Sequence, residues 1–409
     1  MKILHTSDWH LGRALYGRKR YEEFQAFLDW LTETIEQQQV DVLIVAGDIF
    51  DTSTPNNRAQ TLYYQFLCKV AASDCHHVVV VAGNHDSPSF LNAPKALLEV
   101  LNVHVVGAVS DDPADEVIVL KDEQNSPMLI VCAVPYLRDR DIRTVEAGET
   151  IEDKEQKLLS GIRQHYADVA TVAQQQRIAL KAEIPVIGTG HLFAAGGQTA
   201  DGDGVRELYV GSLAHISASV FPDVFDYVAL GHLHVPQLVG GHAHIRYSGS
   251  PLPMGFGEAR QQKVVCLIEM NAGKVQIDTV SVPVFQKLEQ LKGDLPFITA
   301  RIETLKEHQE DVWLEISYTG SEVIPDLNTK LNQMTEESGL NILRVKNPRI
   351  REQILGQTQV KETLDDLNTK EVFERCLTAH DVPVEQQQEL MTAYQEILSS
   401  LDEDDLQAE

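Results

Sequence analysis

The sequence predicts an α/β fold. Short apolar runs alternate with longer amphipathic ones through the first 110 residues, and the short runs are apolar along their whole length. Such runs suit a mostly parallel sheet covered on both faces, whereas strict alternation would suit a sheet with one wet face. Five of the runs end in side chains that can bind a metal or a proton.

In chain order, KILHTS (2–7) reads as a strand, YEEFQAFLDWLTETIEQQQ (21–39) as an amphipathic helix and DVLIVAG (41–47) as a strand. A helix-like segment from about 56 to 73, the strand HHVVVVAG (76–83), the helix-like FLNAPKALLEVL (90–101) and the strand VHVVG (103–107) continue the βαβ progression. Two strand candidates follow in 117–134, then a long polar helix over 150–181, then IPVIGTGH (184–191) and FDYVALGHLH (225–234). Segments 235–240, 244–248, 263–269 and 274–282 alternate more and lie between glycine-rich turns, so they are expected to form an antiparallel part of the same sandwich. On this reading residues 1–282 are one domain.

Composition shifts near residue 283. Residues 283–346 read as a small βαβαβ cap domain, 347–367 as a linker, 368–400 as a pair of helical segments and 401–409 as an acidic tail. The helical pair carries apolar stripes that include Phe373, Leu377, Leu390, Tyr394 and Leu398. Helices this short cannot bury such stripes alone, so the pair is expected to dock on a partner.

The 409 residues are 43% hydrophobic and 23% charged, a globular balance. The longest apolar runs are strand-sized, far below the roughly 18 residues that would suggest a membrane helix. MKILHTSDWH lacks a charged segment followed by an apolar core and a cleavage site, and five scattered cysteines without a CxxC pair suit reduced thiols. A cytoplasmic protein with no membrane partner is expected. The net charge of −27 argues against binding nucleic acid through side-chain charge alone. Residues 346–409, however, hold 15 Asp and Glu against 6 Lys and Arg, so the whole-chain charge is a poor guide to the charge at a site.

The candidate ligands stand at the ends of five apolar runs: Asp8 and His10, Asp48, Asn84 beside His85, His191, and His232 with His234. In α/β sheets ligands gather at the carboxyl ends of strands. Carboxylate, amide and imidazole donors without a thiolate suit two divalent ions sharing a bridging carboxylate. Two ions roughly 3.5–4 Å apart can clamp a phosphate and activate a water for in-line attack. Taken singly, each histidine would be an ordinary hydrogen-bonded residue, Asp8 or Asp48 a turn or capping residue, and Gly47 or Gly83 a turn glycine with φ > 0. Repetition of the pattern carries the argument.

The order DWH (8–10), GDIFD (47–51), GNHD (83–86), GH (190–191) and GHLH (231–234) resembles the calcineurin-like metallophosphoesterases, with all five family motifs present. LHTSDWHLG, VAGDIFDT and LGHLHVPQ are similar more narrowly to the Mre-type nucleases, over the whole chain and most strongly before residue 260. The resemblance implies a β-sandwich flanked by helices. It also implies one ion held by Asp8, His10, Asp48 and His234 and a second held by Asp48, Asn84, His191 and His232, bridged by Asp48. His85 would stand beside the ions, where an imidazole can protonate the leaving oxygen or stabilise a pentacovalent phosphorane. Asp86 would either orient that imidazole or serve as a turn residue before Ser87 and Pro88. Asp51 is given supporting or capping work, and His5, His76, His77, His242 and His244 are left structural.

By the same resemblance the chain would be a manganese-dependent DNA-cutting subunit, a 3'–5' exonuclease and endonuclease acting on ends and hairpins at the nucleoid. It would dimerise through helices of the first hundred residues and form a heterotetramer with an SMC-like ATPase. ATP would belong to that partner, because this chain has no GxxxxGK[ST] phosphate loop. The apolar C-terminal stripes would pack on the partner's coiled coil. Arg18, Lys19 and Arg20, then Arg138, Arg140 and Arg143, and also Arg246 and Arg260, are either DNA-phosphate contacts or ordinary surface charge. Two other readings stay open: a phosphatase or cyclic-nucleotide phosphodiesterase of the same fold, and a scaffold whose metal site is structural.

Overall fold

The computed structural model describes residues 1–143, 148–194, 216–271, 274–322, 324, 326–347 and 390–391. Phe373, Leu377, Tyr394 and Leu398 lie outside the described residues, and Leu390 is exposed. The first half of the chain runs β1 (Lys2–Thr6), a short hairpin of β2 (Ala14–Leu15) and β3 (Arg18–Lys19), α1 (Tyr21–Gln38), β4 (Val42–Ala46), α2 (Asn57–Ala71), β5 (His77–Val81), α3 (Pro88–Asn92), α4 (Lys95–Glu99) and β6 (Val103–Val106). It continues with β7 (Val117–Lys121), β8 (Pro127–Cys132), α5 (Asp139–Ile142), α6 (Ile151–Leu180), β9 (Val186–His191), β10 (Tyr227–Gly231), β11 (Gln237–Val239), β12 (His242–Tyr247), β13 (Val264–Asn271) and β14 (Lys274–Ser281). The described part ends with β15 (Lys287–Gly293), α7 (Leu295–Glu307), β16 (Val312–Tyr318), α8 (Leu327–Thr335) and β17 (Leu340–Lys346).

Two six-stranded sheets form the body, ordered β14-β13-β1-β4-β5-β6 and β11-β12-β10-β9-β8-β7. β1, β4, β5 and β6 are mutually parallel, as are β8, β9, β10 and β12. The wholly apolar strands bury both faces. Ile3, Val42, Ile44 and Val79 meet Leu129, Val131, Ile187 and Ala229 between the sheets, while Leu4, Leu43, Val45 and Val78 face α1 and α2. On the far side α6 covers the second sheet through Ile162, Tyr166, Val169 and Ala173.

Local chemistry explains the helices. α1 buries Phe24, Phe27, Leu28, Leu31 and Ile35 at helical spacing and ends where Gln39 turns left-handed at φ 54°. Asn56 caps α2 by accepting the amides of Arg58 and Ala59, and Thr150 and Asp153 form a capping box on α6. FLNAPKALLEVL, read as one helical stretch, splits into α3 and α4 at Pro94, which has no N–H for the ladder.

One strand pairing departs from expectation. β11 with β12 and β13 with β14 are antiparallel hairpins, but β12 pairs parallel to β10. β11 reverses direction at the sheet edge, so the next reversal returns β12 to the direction of β10. The hairpins also lie in different sheets. A third sheet, β15-β16-β17, is parallel throughout and packs α7 and α8 around Ile298, Ile302, Leu314 and Leu331. It docks on the body where Leu15 and Phe256 meet Leu288 and Trp313.

Candidate metal centre

The carboxyl ends of β1, β4, β5, β9 and β10 share one rim, and their exit loops are laced together. Asp8 N–H donates to Gly47 O at 3.0 Å and His10 N–H to Asp48 O at 3.0 Å. Trp9, fully buried between them, donates to Thr6 Oγ1 and packs edge-on against Phe27 and Phe66 of the overlying helices. It anchors the Asp8–His10 loop. Asp8, His10, Asp48 and His232 all hold left-handed backbone, at φ 55°, 48°, 51° and 101°. Such strain in non-glycine residues collects at functional sites.

Two glycines are required here for different reasons. Gly47 is left-handed at φ 91°, and a Cβ on it would also collide with the His191 ring. Gly83, expected to be left-handed too, is not; a Cβ there would strike Asp48, so it is glycine for close approach of the two loops.

The seven sequence-derived ligand candidates come together. Donor atoms of Asp8, His10 and His234 lie within 4.8 Å of one another, as do those of Asp48, His191 and His232. Asp48 Oδ2 is 3.2 Å from His191 Nε2 and 3.6 Å from His10 Nε2, so this carboxylate stands between the groups. Asn84 Oδ1 is 3.0 Å from His191 Nε2, and the Nε2 atoms of His10 and His234 face each other at 3.2 Å. Asp8 ties the two sheets by accepting the His232 amide at 2.9 Å.

The donor set calls for a cation. His191 Nδ1 donates to Ala46 O at 3.0 Å, which leaves the Nε2 lone pair aimed at two oxygen acceptors. Burial lowers the affinity of His191 for a proton, yet Asp48 and Asp8 overcome it and raise its pKa to about 9. Burial opposes the ionisation of Asp48, but His191 and His10 hold its pKa well below the usual carboxylate range. His10 and His232 are lowered, chiefly by burial, and His232 Nε2 is buried without a partner. Neutral His10 and His232 beside an ionised Asp48 are what a divalent ion needs, and such an ion would compete with the proton on His191.

The calcineurin-like phosphoesterase family model matches residues 1–236. The SbcD subunit of the SbcCD nuclease of Escherichia coli (strain K12) is 40% identical over 408 residues, covering 98% of both chains. The chain belongs to the SbcD family of calcineurin-like phosphoesterases. The SbcD subunit of the Rhodobacter capsulatus SbcCD nuclease is 33% identical, covering 85% of this chain and 89% of its own. That of Bacillus subtilis (strain 168) is also 33% identical, covering 67% of each. The model described as Type 5 capsule protein repressor C-terminal domain matches residues 284–381. The family implies divalent metal ions, and the rim gathers donor groups of the kind that hold them; no helix among the described residues is long and apolar enough to cross a membrane.

His85 and Asp86 do not form the expected pair. His85 Nδ1 donates to the main-chain carbonyl of Asp51 at 2.8 Å, and its amide donates to Asp48 Oδ1 at 2.9 Å. Asp86 turns the other way and accepts the amides of Gly83, Ile49 and Phe50 at 2.8, 3.1 and 3.0 Å. Burial and then Asp48 push the Asp86 carboxyl up to about 7 against the pull of those amides. Asp51 does the orienting: its carbonyl holds His85 while its carboxylate approaches His10 Nδ1 at 3.3 Å. His10, Asp51 and His85 make a third close group of donor atoms.

Two of the eight basic candidates have their guanidinium groups held by carboxylates. Arg20 is 1% exposed, grips Glu23 with two nitrogens at 2.7 and 2.8 Å, and donates to Pro253 O. Arg143 grips Asp139 at 2.6 and 2.7 Å and Glu149 at 2.7 Å. Both guanidinium forks are filled by carboxylates, which removes them as phosphate contacts. Arg18, Lys19 and Arg140 are exposed and Arg138 half-buried; Arg18 lies 5.7 Å over the Trp313 ring. His5, left structural, bonds Tyr227 Oη at 2.9 Å across the sheets.

A pH dependence follows from His191. Its folded value of about 9 lies above its ordinary 6.5, so its charged form adds stability fully present below about 6.5 and lost as pH rises through about 9. A divalent ion held by His191 would take the place of that proton. The gain in Tm on adding Mn2+ to chelator-treated protein should therefore grow from pH 6.5 to 9. Thermal melts across that range check it, and a gain independent of pH would overturn it.

Proposed function

We propose that the chain is the DNA-cutting subunit of a complex with an SbcC-type, SMC-like ATPase, using manganese to hydrolyse phosphodiesters. The observation that carries this reading is a buried two-group donor set divided by Asp48, with His85 beside it and bonded elsewhere. When bound, the ions would supply positive charge for the phosphate and an activated water. Asp8, His10, Asp48 and His234 would hold one, and Asp48, Asn84, His191 and His232 the other.

The chain's own residues do the rest. With Nδ1 spent on the Asp51 carbonyl, Nε2 of His85 is the atom left to pass a proton to the oxygen leaving phosphorus as the P–O bond breaks. Asp51 sets His85 and His10 together, so the proton donor and one ligand share a support. The exposed Arg18, Lys19 and Arg140, with the half-buried Arg138, remain the candidates for backbone phosphates. The cleft of about 1030 Å³ between the body and the third sheet, lined in part by Arg260, Lys287 and Lys292, is consistent with residues 283–346 acting as a DNA-facing cap.

Exonuclease action from 3' to 5', endonuclease action on hairpins and a part in DNA repair and recombination complete the proposal. A DNA substrate implies work in the cytoplasm, at the nucleoid. Leu97 and Val100, 70% and 79% exposed at α4, offer an apolar face for a second copy within a heterotetramer. Residues 368–400 are the segment proposed for the ATPase coiled coil.

One experiment tests the whole reading. The purified chain with Mn2+ is given hairpin DNA and, separately, a generic phosphomonoester, with and without the ATPase and ATP, while sedimentation reads its oligomeric state. Hairpin cutting that chelator abolishes, by a dimer, is expected. Turnover of the small ester alone would favour a phosphatase, and no turnover in any arm would favour a scaffold.

A further inference from the structure

Behind the rim lies a buried ion pair that the proposed chemistry does not use. Glu258 is fully buried and Lys263 is 4% exposed. Placing two charges in a dry interior is costly, and apolar side chains of the same volume commonly serve stability as well or better. The pair therefore needs a reason beyond packing, and its contacts supply one.

Lys263 Nζ is paired with Glu258 Oε2 and also donates to the main-chain carbonyl of His234 at 3.1 Å and to Ser250 Oγ at 3.1 Å. Glu258 Oε2 accepts the Met254 amide at 3.2 Å as well. The other oxygen, Oε1, has no hydrogen bond and stands 3.6 Å from His234 Nδ1, which also has none. Two buried polar atoms of complementary type thus face each other just beyond hydrogen-bond range. The far nitrogen of the same ring points to His10. The turn that carries Glu258, Phe256–Glu258, is fixed from its other side, where Phe256 packs with Leu15, Leu288 and Trp313.

We infer that Glu258, held by Lys263, is the positioning carboxylate of His234. Lys263 fixes the backbone of the histidine while Glu258 is the acceptor for its Nδ1–H, which keeps the proton on Nδ1, leaves Nε2 as the lone pair and sets the ring plane. A metal-binding imidazole commonly donates its other N–H to a carboxylate, and loss of that acceptor typically weakens metal affinity 10–100-fold. The inference rests on the reading of His234 as a ligand, and the test separates the two.

The probe is Mn2+, titrated calorimetrically into the full chain after chelation, with Tm measured in chelator. Glu258→Leu/Lys263→Met removes both charges with little change of volume. Its Tm in chelator should stay near or above that of the parent, while one of the two Mn2+ sites weakens about 10–100-fold and the other is kept. Glu258→Gln serves if the double variant does not fold, with a smaller loss at the same site. Parental affinity at both sites in a folded variant overturns the inference. His234→Ala is the control: if it too binds two ions at parental affinity, the ligand reading itself has failed.

Discussion

Replacing His85 by alanine is expected to slow DNA cutting by about 10²–10⁴-fold while both Mn2+ ions stay bound. The size of the effect is that of a lost general acid, and the geometry says why binding survives. The contact of His85 with Asp48 is made by its backbone amide, which alanine keeps, and its side chain is bonded to a carbonyl of Asp51. Single-turnover cutting at saturating metal, with calorimetry on the same sample, reads both halves. A rate within a few-fold of the parent would remove His85 from the chemistry. Loss of one ion would instead make it a ligand, since it shares a close group with His10 and Asp51.

The convergence of the seven ligand-type residues was legible because it follows from topology. Parallel strands deliver their carboxyl ends to one edge, so side chains repeated after apolar runs had to meet there. The left-handed backbone of Asp8 and Asp48, by contrast, is maintained by the surrounding structure and is not visible in the motifs. Less was legible where the partner is distant in sequence. Lys263 meets the main-chain oxygen of His234, and Asp51 orients His85 through a carbonyl that every residue possesses. No side-chain pattern encodes either contact. Arg20 and Arg143 resemble free surface charge in sequence because windows of basic residues do not reveal their carboxylate partners; Glu23 three positions after Arg20 is the visible hint. The direction of β12 is hidden because alternation tells which face a residue takes, not the direction of the neighbouring strand.

Asp86 separates a structural role from a catalytic one most sharply. Had it oriented His85, Asp86→Ala would cut activity in a fully stable protein. Its carboxylate instead closes the loop after β4 onto the loop after β5, taking the amides of Ile49, Phe50 and Gly83 in a site 2% exposed. Alanine would leave three buried donors unmet, at roughly 1–3 kcal/mol each, so a loss of several kcal/mol in unfolding free energy is expected. The same loops carry Asp48 and Asn84, so Mn2+ affinity should fall at the Asn84 side even where the protein remains folded. Asp86→Asn keeps one acceptor but turns an amide donor toward other donors, and should fall between alanine and the parent. Denaturant unfolding in chelator checks the first effect and calorimetry the second. An alanine variant with parental stability but slow cutting would return Asp86 to the role of orienter, against the direction its carboxylate faces.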